Sequence, residues 1–151
     1  MQTTALRLYG KNDLRLESFD LPEIKDNEIL ADVITNSICM SSHKALLQGK
    51  EHKRVPEDVA NNPVIIGHEM SGKLLKVGEK YKDKYEVGMR YTIQPAFNYP
   101  GREMDAPGYS FPYCGGNATK IIIPKEALEM DCLIPYHGNA FYKASLSEPI
   151  A

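Results

Sequence analysis

Short stretches in which apolar and polar residues alternate dominate this sequence, and glycine and proline separate them. Alternation with a period of two is typical of β-strands that bury one face. Residues 5–9 and 14–19 alternate on either side of the turn-forming residues 10–13, which predicts a β-hairpin. Further strands are predicted at residues 28–35, 72–77, 90–94, 118–123 and 132–135.

Helical patterns are few and short. They are confined to residues 41–48, with Ser41 or Ser42 as the N-cap, and to residues 57–61. Strands and helices do not alternate along the chain, which argues against a parallel α/β sheet. We therefore expect a mainly β fold, a mostly antiparallel barrel with a few short helices. Residues 98–111 lack periodicity and are predicted to form a long loop of the kind that is often functional or mobile.

Length and charge narrow the function classes. The chain has 151 residues, the length of one ordinary domain, and its formal net charge of −2 offers no basic surface for nucleic acid. No apolar run approaches the roughly 18 residues of a membrane helix, and the N-terminus lacks the basic and apolar regions of a secretory leader. We therefore expect a cytoplasmic protein that binds neither nucleic acid nor membranes. The three cysteines are too few for a disulfide framework, and Cys132 has apolar neighbours typical of a buried thiol.

Four other side chains are candidates for a metal site. Cys39 lies at the end of a predicted strand, His68 and Glu69 follow an apolar triplet, and Glu148 lies near the end of the chain. Thiolate, imidazole and carboxylate are ligands of zinc, and three protein ligands with an open fourth position are typical of catalytic zinc. Spacing alone leaves two interpretations open, a metal site or ordinary buried side chains.

Several segments, in chain order, resemble the zinc-dependent medium-chain dehydrogenases/reductases. They are ICMS at 38–41, GHEMSG at 67–72 with VG at 77–78, VGMRY at 87–91, GGNA at 115–118 with IIP at 122–124, and SLSEPIA at 145–151. The resemblance implies that residues 1–151 form a GroES-like catalytic domain, a partly open antiparallel β-barrel. It also implies that a nicotinamide-binding Rossmann domain follows in the intact enzyme.

The same resemblance implies roles for individual residues. Cys39, His68 and Glu148 would be zinc ligands, and Glu69 would be a neighbouring carboxylate that approaches the metal or orients its water. Ser41 falls where the family has a hydroxyl for proton relay. In such enzymes zinc polarises the substrate oxygen while a nicotinamide exchanges hydride.

Three features depart from the family pattern. Met40 and Ser42 replace the usual glycine and aspartate around the relay hydroxyl. Lys44 occupies the position of the relay histidine, and His43, the remaining catalytic candidate, lies one position too early. The four clustered cysteines of a structural zinc site are missing, since Cys114 is alone between residues 95 and 115. We therefore expect one catalytic zinc and no structural zinc.

Within the family, three segments resemble the L-sorbose-1-phosphate reductase branch: ICMSS at 38–42, HKRVP at 52–56 and IQPA at 93–96. That branch implies interconversion of a ketose phosphate and a polyol phosphate with NAD(P)H. A phosphate group requires cationic donors, although a basic loop is often merely solvated. The basic candidates for phosphate contact are Lys44, Lys50, His52, Lys53 and Arg54.

The sequence lacks the Gly-x-Gly-x-x-Gly motif of a dinucleotide-binding domain, so no cofactor-binding residue is assigned. We expect a fragment that folds but is inactive alone, with Glu148 frayed and zinc weakly held. The intact enzyme is expected to be a homo-oligomer acting on a small-molecule polyol, ketose or sugar phosphate. Two alternatives remain: a zinc-free domain of the quinone-reductase kind, and a non-enzymatic GroES-like binding module. Metal content distinguishes both from the zinc enzyme.

Overall fold

The computed structural model describes residues 1–150, which contain nine β-strands and four α-helices. The strands are β1 (Gln2–Gly10), β2 (Asp13–Asp20), β3 (Ile29–Asp32), β4 (Thr35–Asn36), β5 (Val64–Ile65), β6 (Met70–Val77), β7 (Arg90–Ile93), β8 (Lys120–Ile123) and β9 (Leu133–Pro135). The helices are α1 (Met40–Gln48), α2 (Lys125–Glu129), α3 (Phe141–Ser145) and α4 (Ser147–Ile150). Single 3₁₀ turns lie at Gly49–Glu51 and Glu79–Tyr81.

Two antiparallel sheets form the barrel. One has the order β2-β1-β5, and the other has the order β8-β3-β6-β7-β9, with β4 also paired to β6. The sheets join where β1 approaches β8: the Thr119 N–H donates to the Thr4 carbonyl at 2.9 Å, and Ala5 forms a bridge with Ala118. The two sheets form a partly open barrel. The predicted mainly β, antiparallel fold is therefore confirmed.

The predicted hairpin is present. Gly10 pairs with Asp13, so only Lys11 and Asn12 form the loop between β1 and β2. Asn12 has a φ of 55°, a left-handed conformation that asparagine tolerates better than most residues.

Other predicted elements differ in detail. The strand predicted at residues 28–35 divides into β3 and β4, and residues 57–61 form turns rather than a helix. The N-cap of α1 is Cys39, with φ −109° and ψ 138°, not Ser41 or Ser42. The Ser41 hydroxyl hydrogen-bonds to Cys39 and Tyr109 instead of capping the helix.

Two apolar clusters pack the strands, α1 and the long loop against one another. The larger one fills the barrel between β3, β6, β7 and β8. The second packs α1, the turns that follow it and part of the long loop against β1 and β5. Its buried members are Leu8, Ala45, Val55, Val59, Val64, Ile66, Ala106 and Tyr109. Because burial of each valine, leucine or isoleucine side chain stabilises the fold by about 1.5–3 kcal/mol, this second cluster fixes the long loop beside α1.

The helices α2, α3 and α4 have only five, five and four residues, too short for the periodicity by which helices are recognised in a sequence. Tertiary contacts stabilise α2 and α3, as shown by the burial of Ala127 and Leu128 in α2 and of Ala144 in α3, whereas α4 buries no residue. In residues 1–150 the longest helix is α1, with nine residues, and no helix is long and apolar enough to span a membrane.

Gly72→Ala tests the close approach of β6 to the end of β3. A Cβ at Gly72 would lie 2.1 Å from the Asp32 carbonyl oxygen, which already accepts a hydrogen bond from the Tyr91 hydroxyl. Overpacking of this kind costs about 1–3 kcal/mol, so the free energy of unfolding should fall by that amount in urea denaturation. Gly10→Ala is the control, because nothing lies within 4 Å of its added Cβ. Equal stability of the two variants would contradict this packing.

Candidate metal centre and substrate cleft

Three side chains from two chain segments converge at one end of the barrel. Cys39 caps α1, and His68 and Glu69 immediately precede β6. The ligand atoms of the three residues all lie within 4.8 Å of one another, and in residues 1–150 no other group of three His, Cys, Asp or Glu residues meets that criterion. His68 and Glu69 are buried, whereas Cys39 is partly exposed, so the cluster is open to solvent on one side.

A polar network holds the backbone that carries the two buried members. The Glu69 N–H donates to Asn36 Oδ1 at 3.2 Å, and Asn36 Nδ2 donates to Asn117 Oδ1 at 2.8 Å. Gly67 has a φ of 94°, and a Cβ there would lie 2.8 Å from Asn36 Nδ2. The glycine before His68 is therefore required both by its backbone conformation and by the side chain packed against it.

Burial shifts the pKa values of His68 and Glu69. It lowers the pKa of His68 below its ordinary range, against an opposing effect of the nearby Glu148 carboxylate. Burial also raises the pKa of Glu69, and Glu148 raises it further, while Cys39 lowers it. His68 Nδ1 is buried with no hydrogen-bond partner among the described residues. The cluster thus combines a neutral imidazole with carboxylates that repel each other, an arrangement that a cation relieves.

The donor set fits zinc. Zinc–ligand distances of roughly 2.0–2.3 Å in tetrahedral geometry separate neighbouring ligand atoms by about 3.3–3.8 Å. His68 Nε2 and Glu69 Oε1 are 3.9 Å apart, close to that spacing. A thiolate with an imidazole and a carboxylate is a donor set that zinc accepts, and softer than the oxygen ligands preferred by calcium or magnesium.

Glu148 adjoins this cluster, close enough to Glu69 and His68 to shift the pKa of both. It belongs to the short terminal helix α4, and it lines a cavity of about 190 Å³. The cavity is lined by Arg54, His68, Pro95, Ala96, Ala106, Tyr109 and Glu148. Of the four residues predicted for the metal site, the structure brings the ligand atoms of Cys39, His68 and Glu69 within 4.8 Å of one another, and the Glu148 carboxylate lies next to Glu69.

Ser41 lies directly beside the thiol. Its Oγ is 2.9 Å from Cys39 Sγ, and the Tyr109 hydroxyl donates to it at 2.7 Å. Neither Tyr109 nor Asn36 was predicted as a site residue. Tyr109 lies in the long loop at residues 98–111, and long loops often carry functional residues, so its position in the sequence offers a clue to its role. Nothing in the sequence around Asn36 indicates its role.

The basic side chains predicted for the site differ in exposure and in whether they line the cleft. Arg54 is half-buried and lines the cleft, with its Nη1 donating to the Met104 carbonyl at 2.7 Å. His43, Lys44 and Lys53 are exposed, and none of them lines the cleft. Lys50 is also exposed. His52 is buried; its pKa is lowered by burial and by the nearby charges of Lys44, Arg54 and Lys53, in that order.

Comparison with known proteins gives one matching family and two informative relatives. The family described as "Alcohol dehydrogenase GroES-like domain" matches residues 25–130. L-sorbose 1-phosphate reductase of Klebsiella pneumoniae is 53% identical over 149 residues, 99% of this chain and 36% of that protein. Mannitol-1-phosphate 5-dehydrogenase of Aliivibrio fischeri is 45% identical over 150 residues, 99% of this chain and 35% of that protein. The chain thus spans about one third of the length of these relatives.

Solved structures share the same fold. 2R,3R-butanediol dehydrogenase from Bacillus subtilis superposes with a TM-score of 0.77 at 25% sequence identity. The superposition covers 97% of this chain and 44% of that chain. This chain therefore shares its fold with less than half of that longer enzyme chain.

Acid should destabilise the metal-free protein through its buried histidines. The pKa values of His52 and His68 lie below the ordinary value of 6.5, so the unfolded chain takes up these protons first as the pH falls. The free energy of unfolding should therefore decrease below about pH 6.5, by at most about 1.4 kcal/mol per pH unit for each histidine, until the folded histidines also protonate. Urea denaturation across this range measures the decrease.

A His52→Gln variant removes the contribution of His52 to the pH dependence of the free energy of unfolding. Its pH dependence should be shallower than that of the wild type, whatever its stability at neutral pH. Glu69 acts in the opposite direction, because its raised pKa favours proton uptake by the folded chain, and it is unchanged in this variant. Identical slopes for the two proteins would show that His52 is not held neutral by the fold.

Proposed function

Because this chain belongs to the alcohol dehydrogenase GroES-like domain family, we propose that it is the catalytic domain of a zinc-dependent oxidoreductase. The proposed reaction interconverts a ketose phosphate and a polyol phosphate, with NAD(P)H bound mainly by a separate Rossmann domain. The names of the two relatives with high identity support this substrate class. The observation that carries the proposal is the cluster of Cys39, His68 and Glu69 at the edge of the cleft.

One zinc ion is proposed, held by Cys39 and His68 with a carboxylate from Glu69 or Glu148. When bound, zinc acts as a Lewis acid on the substrate oxygen, and the nicotinamide supplies the hydride. No structural zinc is proposed, since the segment between residues 95 and 115 carries a single cysteine, Cys114, which is buried.

The chain's own residues bind and orient the substrate. The Ser41 hydroxyl, beside the thiol, is placed to hydrogen-bond the reacting oxygen and to pass a proton to or from it. Tyr109, Ala106 and Pro95 form the cleft wall that limits access of water. Of the two candidates for proton relay, Ser41 and His43, the exposed position of His43 makes Ser41 the more direct proton carrier.

Arg54 is proposed to bind the substrate phosphate. Its guanidinium lies in the cleft with His68 and Glu148, and arginine matches the geometry of phosphate oxygens. Lys44 and Lys53 are too exposed to line that cleft and are proposed to contribute long-range attraction for an anionic substrate.

A zinc-free quinone-reductase-like enzyme and a GroES-like binding module share this fold. Neither requires a thiol, an imidazole and two carboxyl groups around one cleft, which is why the zinc enzyme is favoured. The cytoplasmic location, the homo-oligomeric state of the intact enzyme and the inactivity of this chain alone remain predictions from the sequence.

Zinc content tests the proposed metal centre. The intact enzyme should hold about one equivalent of zinc by elemental analysis, and Cys39→Ala should lose most of it because the thiolate is the softest ligand of the set. Cys132→Ala is the matched control: it removes a buried thiol distant in sequence from the cluster and should keep the zinc. Full zinc occupancy in Cys39→Ala, or no zinc in the wild type, would contradict the proposal.

Arg54→Gln tests the phosphate contact in the intact enzyme. Loss of a charge-assisted hydrogen bond costs about 1.5–3 kcal/mol, so the KM for a ketose phosphate should rise about tenfold or more. The same variant should leave turnover of an unphosphorylated ketose nearly unchanged. Lys53→Gln should change the KM less than about threefold, as expected for an exposed charge. Equal effects of Arg54→Gln and Lys53→Gln would refute the assignment to Arg54.

A further inference from the structure

Tyr109 occupies an unusual position between the cluster and the basic segment. Its side chain is only 5% exposed, and its hydroxyl donates to Ser41 Oγ at 2.7 Å. One face of its ring stacks on His52, with centroids 5.3 Å apart and planes 4° apart. The ring also contacts His68 at 5.2 Å between centroids, so a single side chain touches Ser41 and a proposed metal ligand.

We propose that Tyr109 is a positioning residue that sets the orientation of the Ser41 hydroxyl. A serine hydroxyl has one proton and two lone pairs. Because the tyrosine hydroxyl occupies one lone pair of Ser41, the serine proton is directed toward the side where Cys39 Sγ lies, 2.9 Å away. This inference rests on the proposed function, in which the reacting oxygen of the substrate approaches that same side.

The surroundings of Ser41 explain why a tyrosine is needed there. Lys44 occupies the family's relay-histidine position, and both Lys44 and His43 are exposed on α1. In residues 1–150 the side-chain hydrogen bonds of Ser41 go to Cys39 and Tyr109. Besides the Cys39 thiol, Tyr109 is therefore the group among the described residues that orders this hydroxyl.

The backbone around Tyr109 is rigid enough for this role. The Gly108 N–H donates to the Cys114 carbonyl at 3.0 Å, and a Cβ at Gly108 would lie 2.3 Å from the Gly67 carbonyl oxygen. Ser110 Oγ donates to the Arg54 carbonyl at 2.7 Å and accepts from the Ala106 N–H at 3.1 Å. The residues on both sides of Tyr109 are thus fixed against the segments that carry His68 and Arg54.

A double-mutant cycle in the intact, zinc-loaded enzyme tests the proposal. Tyr109→Phe keeps the ring stack and removes only the hydroxyl. It should lower kcat about tenfold. This is less than the roughly hundredfold or greater contribution of a positioned proton-transfer group, because Ser41 itself is still present. The KM for the ketose phosphate and the zinc content should be unchanged. In a Ser41→Ala background, Tyr109→Phe should have no further effect on kcat, because the hydroxyl that it orients is already gone.

Tyr99→Phe is the matched control. It removes another phenol hydroxyl, which donates to Glu129 Oε2 at the same distance of 2.7 Å, and it should leave kcat unchanged. An unchanged kcat in Tyr109→Phe, additive effects with Ser41→Ala, or loss of zinc from Tyr109→Phe would each overturn the positioning role. A wild-type enzyme that reduces no ketose phosphate would instead overturn the proposed function, and this inference with it.

Discussion

The close approach of three backbone segments at Gly67 is the constraint on which the candidate site depends. The Gly116 N–H donates to the Gly67 carbonyl at 2.7 Å, and Gly108 contacts the same carbonyl from the long loop. A Cβ at Gly116 would lie 2.0 Å from Asn36 Oδ1, the atom that holds the Glu69 N–H. Side chains at these glycines would separate the segments that carry His68, Glu69 and Tyr109.

This arrangement concentrates polar groups where the surroundings are apolar. His68 and Glu69 are buried, and the neighbouring Glu148 disfavours ionisation of Glu69. Burying these polar groups without partners destabilises the fold. A bound cation interacts with the imidazole and the carboxylates together, and relief of this destabilisation contributes to the free energy of metal binding. The stability of the domain and its affinity for metal are therefore linked through the same side chains.

The sequence predicts the parts of the structure that depend on local pattern. The hairpin follows from period-two alternation around Gly10, and Cys39, His68 and Glu69 follow from donor chemistry and family resemblance. It does not predict the N-cap at Cys39, because Ser41 is the better capping residue and is engaged by Tyr109 instead. The hydrogen bonds of Asn36 to Glu69 and Asn117, and of Tyr109 to Ser41, join residues more than 30 positions apart, so no local pattern reveals them.

X-ray absorption at the zinc edge of the zinc-loaded protein tests the central claim most directly, because it identifies the ligand atoms. One sulfur at about 2.3 Å, together with nitrogen and oxygen ligands at about 2.0–2.2 Å, is the expected first coordination shell. The sulfur contribution should be missing from the residual zinc that Cys39→Ala retains. A shell of nitrogen and oxygen alone in the wild type would contradict a metal centre built on Cys39.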